Sequence, residues 1–197
     1  AGIAVNTAKI RHGSTVAIFG VGGIGISAVL GCKICEPSRI IAIDMIDRKL
    51  EFSRDLGCTH SINAGQNNVL KNIMEITEGK GVDYAIEASG NREMMEAAFK
   101  SIKMPGGICV IAGNLPQGET ISIDPMELIK GKQIIGTWGG ETKPDRDIPL
   151  YADLYHSNKI HLDKLLTETY PLVEINQAFS DLQEGKVIRA MLDVSQS

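Results

Sequence analysis

TVAIFGVGGIGISAVLGCKICEPSRIIAID, residues Thr15 to Asp44, decides how this chain is read. Val16 to Phe19 is a short apolar run of the kind a buried parallel strand needs. Glycines follow at Gly20, Gly22, Gly23 and Gly25. An apolar helical segment then runs to about Cys35, Pro37 breaks it, and a second apolar run from Ile40 to Ile43 ends in Asp44. Strand, glycine turn, helix, strand and acid together make a dinucleotide cradle. Gly20 lets the chain turn sharply out of the strand, Gly22 lets backbone approach a pyrophosphate, and Gly25 lets the helix lie tight on the strand. Unpaired amides and the positive dipole end of the helix then face the phosphates. Asp44 comes 19 residues after Gly25, at the tip of the second strand. A carboxylate there accepts from ribose hydroxyls and repels a 2′-phosphate, which selects NAD over NADP.

Two other readings of the stretch are a glycine-rich turn in some unrelated α/β core and a membrane span. The second fails because the uncharged run from Val16 to Cys32 is shorter than the roughly 20 residues a span needs, and its glycines cluster at a turn.

The 197 residues suffice for one large domain, or one domain with part of a second. Hydrophobic content of 43% and charged content of 22% are those of a soluble globular chain, which sets aside disorder and a membrane protein. A net charge of −4 gives no basic surface for nucleic acid. The chain opens without a basic region ahead of an apolar core, so no secretory leader is expected, and the expected location is the cytoplasm. Cys32 and Cys35 form a C-x-x-C in mid-helix with no second pair at zinc-ribbon spacing; they read as core thiols.

Outward from the cradle, strands and helices alternate. A helix follows Asp44, with Leu50, Ser53 or Arg54, and Leu56 on one face and Gly57 at its end; Thr59 to Asn63 is the third strand. Val69, Leu70, Ile73 and Ile76 mark the next helix, and Val82 to Glu87 the fourth strand. Asn91 caps a helix whose inner face is Met95, Ala98, Phe99 and Ile102. Ile108 to Ala112 is the fifth strand and Lys132 to Trp138 the sixth. Between them lie a brief edge strand at Ile121–Ile123 and a short helix opened by Asp124-Pro125. The expected fold is a Rossmann, doubly wound α/β domain with a six-stranded parallel sheet in the order 3-2-1-4-5-6. Beyond Gly140 the segment GETKPDRDIP is polar and proline-bearing and reads as a boundary. The expected division is 1–140 for the nucleotide-binding domain and 141–197 for a partial α+β extension. In the extension, Ile148, Tyr151, Leu154 and Tyr155 mark one helix, and Ile175, Ala178, Phe179 and Leu182 another. Thr167–Val173 and Val187–Val194 are its strands.

Six runs carry a resemblance: GSTVAIFGVGGIGISAVLGCK, IIAIDMIDRK, GVDYAIEASGN, GGICVIAGNLP, IDPMELIKGKQIIGTWGG and EGKVIRAMLDV. In this order they resemble the coenzyme-binding half of a zinc-type, medium-chain alcohol dehydrogenase. The resemblance implies that Gly20, Val21, Gly22, Gly23, Ile24 and Gly25 form the pyrophosphate turn. It implies that Asp44 and Lys49 hold the adenosine ribose, and that Ala88, Ser89, Gly90, Ala112, Gly113 and Asn114 line the nicotinamide side. Thr137 and Trp138 would offer backbone groups to the carboxamide, and Arg189 would pair with the pyrophosphate. The implied cofactor is NAD, and the implied reaction is hydride transfer between an alcohol or aldehyde and NAD.

The resemblance also implies zinc, with ligands in an N-terminal catalytic domain that would lie before Ala1. His12, His60, His156 and His161 are scattered and pair with no cysteine at ligand spacing, so no metal ligand and no catalytic residue is assigned here. The chain is then expected to bind NAD without turnover, and the part from 141 onward to expose apolar surface and be mobile or re-docked. A homodimer is expected through the sheet edge formed by 121–138. Two alternatives stay open: a free-standing nucleotide-binding module, and a zinc-free quinone or enoyl reductase, which would usually take NADP.

Overall fold

A computed structural model describes residues 1–195. The central sheet has six parallel strands in the order β3-β2-β1-β4-β5-β6. These are β1 (Thr15–Phe19), β2 (Arg39–Asp44), β3 (His60–Asn63), β4 (Tyr84–Glu87), β5 (Ile108–Ile111) and β6 (Gln133–Gly136). Helices α1 (Gly23–Cys35), α2 (Asp47–Asp55), α3 (Val69–Ile76), α4 (Arg92–Ser101) and α5 (Pro125–Ile129) lie between them. A single turn of π-helix, Ile3–Thr7, precedes β1.

The period-2 alternation of the strands builds two cores. Val16 and Ile18 of β1, with Ile40 and Ala42 of β2, face one side, where Ile26, Val29 and Leu30 of α1 and Leu50 of α2 cover them. Ala17, Phe19, Ile41 and Ile43 face the other side, against Ile73 of α3 and Ala98 and Phe99 of α4. Neither face of the middle strands reaches water, so these strands are apolar except at their ends, where Thr15, Arg39, Asp44 and Glu87 stand. Each fully buried Ile or Phe contributes about 1.5–3 kcal/mol. The strand ends lie level, Phe19 opposite Ile43 and Glu87 and Glu87 opposite Ile111, so the tips of β1, β2, β4 and β5 line up along one edge of the sheet.

The Rossmann topology is as expected, and several local boundaries differ. Residues 121–123 form no strand: the Ser122 amide donates to the Glu96 carboxylate at 2.9 Å, and β6 takes the place beside β5. Strand β6 is also shorter than Lys132–Trp138. Lys132 is drawn away to the carbonyls of Phe99 and Lys100, at 3.2 and 3.0 Å, and to Glu127. Val82 stands outside β4, as an isolated bridge to Ile102.

Helix α6 (Pro144–His156) begins inside the stretch expected to be a linker. Pro144 suits a first turn, and Asp147 accepts from the Lys143 amide at 3.0 Å to close the helix start. The expected inner face of α6 is partly wrong. Ile148 is 63% exposed, while Asp147 is buried and bonded to Asn6 at 2.9 Å.

Beyond α6 come α7 (Ile175–Gln183) and the parallel pair β7 (Glu168–Pro171) and β8 (Ala190–Asp193). Tyr170, Ala178 and Val187 form their small core. Phe179, expected on the inner face, is 58% exposed, because two short strands give α7 a face too narrow for it. Apolar side chains of this part, Val173 and Val194 among them, stand in solvent, as expected. No described helix is long and apolar enough to cross a membrane.

Candidate functional site

The turn from β1 into α1 shows three glycines with three different reasons. Gly20 has φ +83°, and a Cβ there would stand 2.7 Å from the Ser89 Cα. It serves the turn and also lets the tip of β4 come in against it. A Cβ on Gly25 would fall 1.9 Å from the Gly20 carbonyl oxygen, so any side chain would push the helix off the strand. At Gly22 a Cβ would meet nothing within 4 Å. The bare backbone there faces open space, which is what a phosphate approaching the chain requires. Gly22 is also the N-cap of α1 and has no side-chain capping bond. The first amides of the helix are therefore left for an outside acceptor, at the positive end of its dipole.

Asp44 lies at the tip of β2 with its carboxylate turned to this turn. Oδ2 accepts from the Val21 amide at 2.9 Å, and Oδ1 accepts from Met45 and Ile46 at 2.8 and 3.1 Å. A carboxylate has about four lone-pair sites, so these three bonds leave room for one further donor. The acid is half-buried, held still, and still accessible.

Arg189 arrives from the C-terminal part. Its backbone is tied to Thr167: the Arg189 amide donates to the threonine hydroxyl at 3.2 Å, and the Thr167 amide donates to the Arg189 carbonyl at 3.2 Å. The guanidinium then lies beside the glycine turn, where a Cβ on Gly23 would stand 3.7 Å from its Nη2. A cavity of about 220 Å³ opens here, with Gly23, Ile24, Ala112, Thr137, Gly140 and Arg189 in its wall. Ala1, Ile3, Ser27 and Gly139 complete the wall; with Gly140 they are the half of it that sequence reasoning did not assign.

The other assigned residues are placed differently. Lys49 lines a neighbouring cleft with Arg48, Thr167 and Lys186, close enough to Gly185 that a Cβ there would be 3.1 Å from its Cε. Thr137 has its amide committed to the Ile111 carbonyl at 3.1 Å, and its hydroxyl shares a hydrogen bond with that of Thr7 at 2.8 Å. Trp138 is 97% exposed. The Ala88 amide donates to the Phe19 carbonyl at 2.8 Å, which stitches the β4 tip to β1. Gly90 meets Gly113 and Asn114 backbone to backbone, while Ser89 bears on Gly20. A Cβ on Gly90 would be 2.8 Å from the Asn114 oxygen, and one on Gly113 would be 2.4 Å from the Gly90 nitrogen.

Sequence reasoning passed over Glu87, the last residue of β4. It is fully buried in a strand otherwise made of Tyr, Ala and Ile. That is the signal that could have found it, since a buried carboxyl needs partners. Oε1 accepts from the Ser89 amide at 2.8 Å, the Gly90 amide at 3.1 Å and the Ser89 hydroxyl. Oε2 has no partner. Burial pushes the Glu87 pKa up, against those donors.

Among the described residues no group of three or more His, Cys, Asp or Glu side chains is placed to hold a metal ion. The residues described here therefore do not fit zinc. Cys32, Cys58 and Cys109 are buried free thiols, and Cys35 is half-buried. Burial raises all four, Cys58 and Cys109 to about 12, as suits core side chains rather than nucleophiles.

A family model for zinc-binding dehydrogenases matches residues 23–157. The chain is 38% identical, over 198 residues, to the class-3 alcohol dehydrogenase of Dictyostelium discoideum, covering 98% of this chain and 52% of that protein. Among solved structures, benzyl alcohol dehydrogenase from Acinetobacter calcoaceticus superimposes with a TM-score of 0.92 at 32% identity, covering 97% of this chain and 52% of that one. An alcohol dehydrogenase zinc-binding domain protein from Burkholderia ambifaria gives 0.91 at 33%, covering 97% and 51%. The chain thus spans about half the length of the relatives it matches.

Proposed function

We propose a function that proceeds from one premise: the chain belongs to the zinc-binding dehydrogenase family. It is the NAD-binding portion of an oxidoreductase that moves hydride between an alcohol or aldehyde and NAD. The observation that carries this reading is the uncapped start of α1. Its amides face open space at Gly22, and the Arg189 guanidinium is brought beside Gly23 from the far end of the chain. Two sources of positive potential converge on bare backbone, which is the recognition chemistry of a pyrophosphate.

The fit to a dinucleotide extends outward from there. Asp44 keeps one lone-pair site free for a ribose hydroxyl and sets a negative charge where a 2′-phosphate would fall. Lys49 contributes a second cation on the ribose side. The cavity walled by Ile24, Ala112 and Thr137 takes the nicotinamide end, and Ala88, Ser89, Gly90, Gly113, Asn114 and Trp138 are proposed to lie along its approach. When bound there, NAD supplies the carbon that accepts hydride. The protein's own share is to bind and orient the ring and to keep charge off it. The described residues form no ligand set for a metal.

Residues 1–140 act as the nucleotide-binding unit, and the part from 141 onward as the returning part of a catalytic domain. The two are not cleanly separable. Asn6 donates to the Asp147 carboxylate at 2.9 Å and to the Gly140 carbonyl at 3.4 Å, and Arg146 donates to Asn6 at 2.9 Å. A homodimer forms through the β6 edge, where Ile129 is 76% exposed and Trp138 nearly bare. Sedimentation showing only monomer at working concentration would count against it.

Calorimetry with NAD and NADP tests the central reading. NAD is expected to bind and NADP to bind at least tenfold more weakly. Equal or tighter NADP binding would favour the reductase alternative, and binding of neither would overturn the function.

A further inference from the structure

We propose that Glu87 is a positioning residue that locks the tips of β4 and β5 into the one arrangement the nicotinamide half of NAD can lie against. This deepens the coenzyme reading above and rests on it.

Both ends of the residue do the same job on different strands. Its main-chain carbonyl accepts from the Ala112 amide at 2.8 Å and the Gly113 amide at 3.0 Å, which fixes how β5 leaves the sheet. Its carboxyl Oε1 accepts from the amides of Ser89 and Gly90 and from the Ser89 hydroxyl, which fixes how β4 leaves it. One residue thus takes both amides of one turn and both amides of the other. The turns are then in backbone contact, with room for no side chain at Gly90 or Gly113. Ser89 in turn bears on Gly20, so the β1 tip joins the same packed knot. Ala112 is the member of the knot that reaches the cavity wall.

Oε2 argues that the carboxyl is not there for stability alone. It is buried, unpartnered, and so close to Gly113 that a Cβ there would stand 2.5 Å from it. An apolar residue at this position would remove the unpaired oxygen, but it would leave the Ser89 and Gly90 amides without an acceptor. What the carboxyl adds is an acceptor that two successive amides and a hydroxyl can share, and hence a turn with one conformation. A binding surface made of backbone needs such support, since its own groups have no rotamers to lock.

The test measures NADH and AMP binding by the intact chain at pH 7, for the wild type and for Glu87→Ala, Glu87→Gln and Ser89→Ala. Folding of each is checked by circular dichroism. Glutamine keeps the Oε1 acceptor, so E87Q is expected within threefold of wild type for both ligands. E87A is expected to lose tenfold or more in NADH affinity while AMP, which has no nicotinamide half, stays within threefold. S89A, which removes one donor and leaves the packing intact, is expected to lose about threefold for NADH only, and decides the matter if E87A does not fold. An E87A chain that folds and binds NADH like the wild type, or, where E87A does not fold, an S89A chain that does so, would overturn the assignment. Equal losses for NADH and AMP would also overturn it, because they would mark a general scaffold role. A wild-type chain that binds neither ligand would overturn the coenzyme reading itself, so the two failures are told apart.

Discussion

Two glycines in the same turn are expected to respond oppositely to one added methyl group. In Gly25→Ala the new Cβ would lie 1.9 Å from the Gly20 carbonyl oxygen and 2.9 Å from its carbon, both backbone atoms that cannot swing aside. The helix must shift. Overpacking of this kind costs about 1–3 kcal/mol, and the gain of up to ~1 kcal/mol from replacing glycine in a helix offsets only part of it. For a chain of this size 1 kcal/mol moves Tm by about 2–4 °C, so a fall of up to roughly 8 °C is expected. In Gly22→Ala the methyl group meets nothing within 4 Å, and the residue's φ of −76° suits any side chain. Tm should stay within about 2 °C. NAD affinity should nevertheless fall about tenfold, or ~1.4 kcal/mol, because the methyl group stands where the pyrophosphate meets backbone. Thermal melts without ligand, followed by NAD titrations, measure both quantities. A Gly25→Ala chain that melts higher than wild type would refute the packing argument. A Gly22→Ala chain that binds NAD undiminished would refute the placement of the phosphates.

Replacing Asp44 by Ser should weaken NAD by about tenfold and narrow the gap to NADP, as competition titrations would show; an unchanged NAD/NADP ratio would mean the acid does not read the sugar. Arg189→Ala should lower NAD affinity and flatten its salt dependence, which titrations at low and high ionic strength would detect, with Tm little changed. Asp147 has its pKa lowered to about 2, first by Arg146 and then by the Lys143 amide and Asn6. A depressed carboxylate stabilises above its unfolded pKa of about 3.9 and ceases to as pH falls through the folded value. Asp147→Asn should therefore melt lower than wild type at pH 7, and the difference should shrink between about pH 5 and pH 2; a difference independent of pH would exclude a role for the charge.

The stretch from Thr15 to Asp44 was legible because its signals are local. Alternate side chains of β1 and β2 must go to opposite faces, so an apolar run implies two covered faces, and the two cores appear as expected. Gly25 and the acid at the next strand tip follow from the same short-range geometry. Caps are equally local: Asn68, Asn91 and Asp124 each accept from an amide two or three residues on.

What sequence alone left undecided depends on groups far apart along the chain. Arg189 reads as an exposed charge until the fold sets its guanidinium beside Gly23. Residues 121–123 alternate like a strand, yet the place beside β5 is taken by β6, and the Ser122 amide is turned to the Glu96 carboxylate instead. Phe179 sits at helical spacing with Ala178 and Leu182 and still faces water, because nothing in the described chain reaches across to cover it. Glu87 is the sharpest case. Its identity and place in a strand are plain from the sequence, but a carboxyl gains its meaning from the donors that surround it, and those come from two turns that only the sheet brings together.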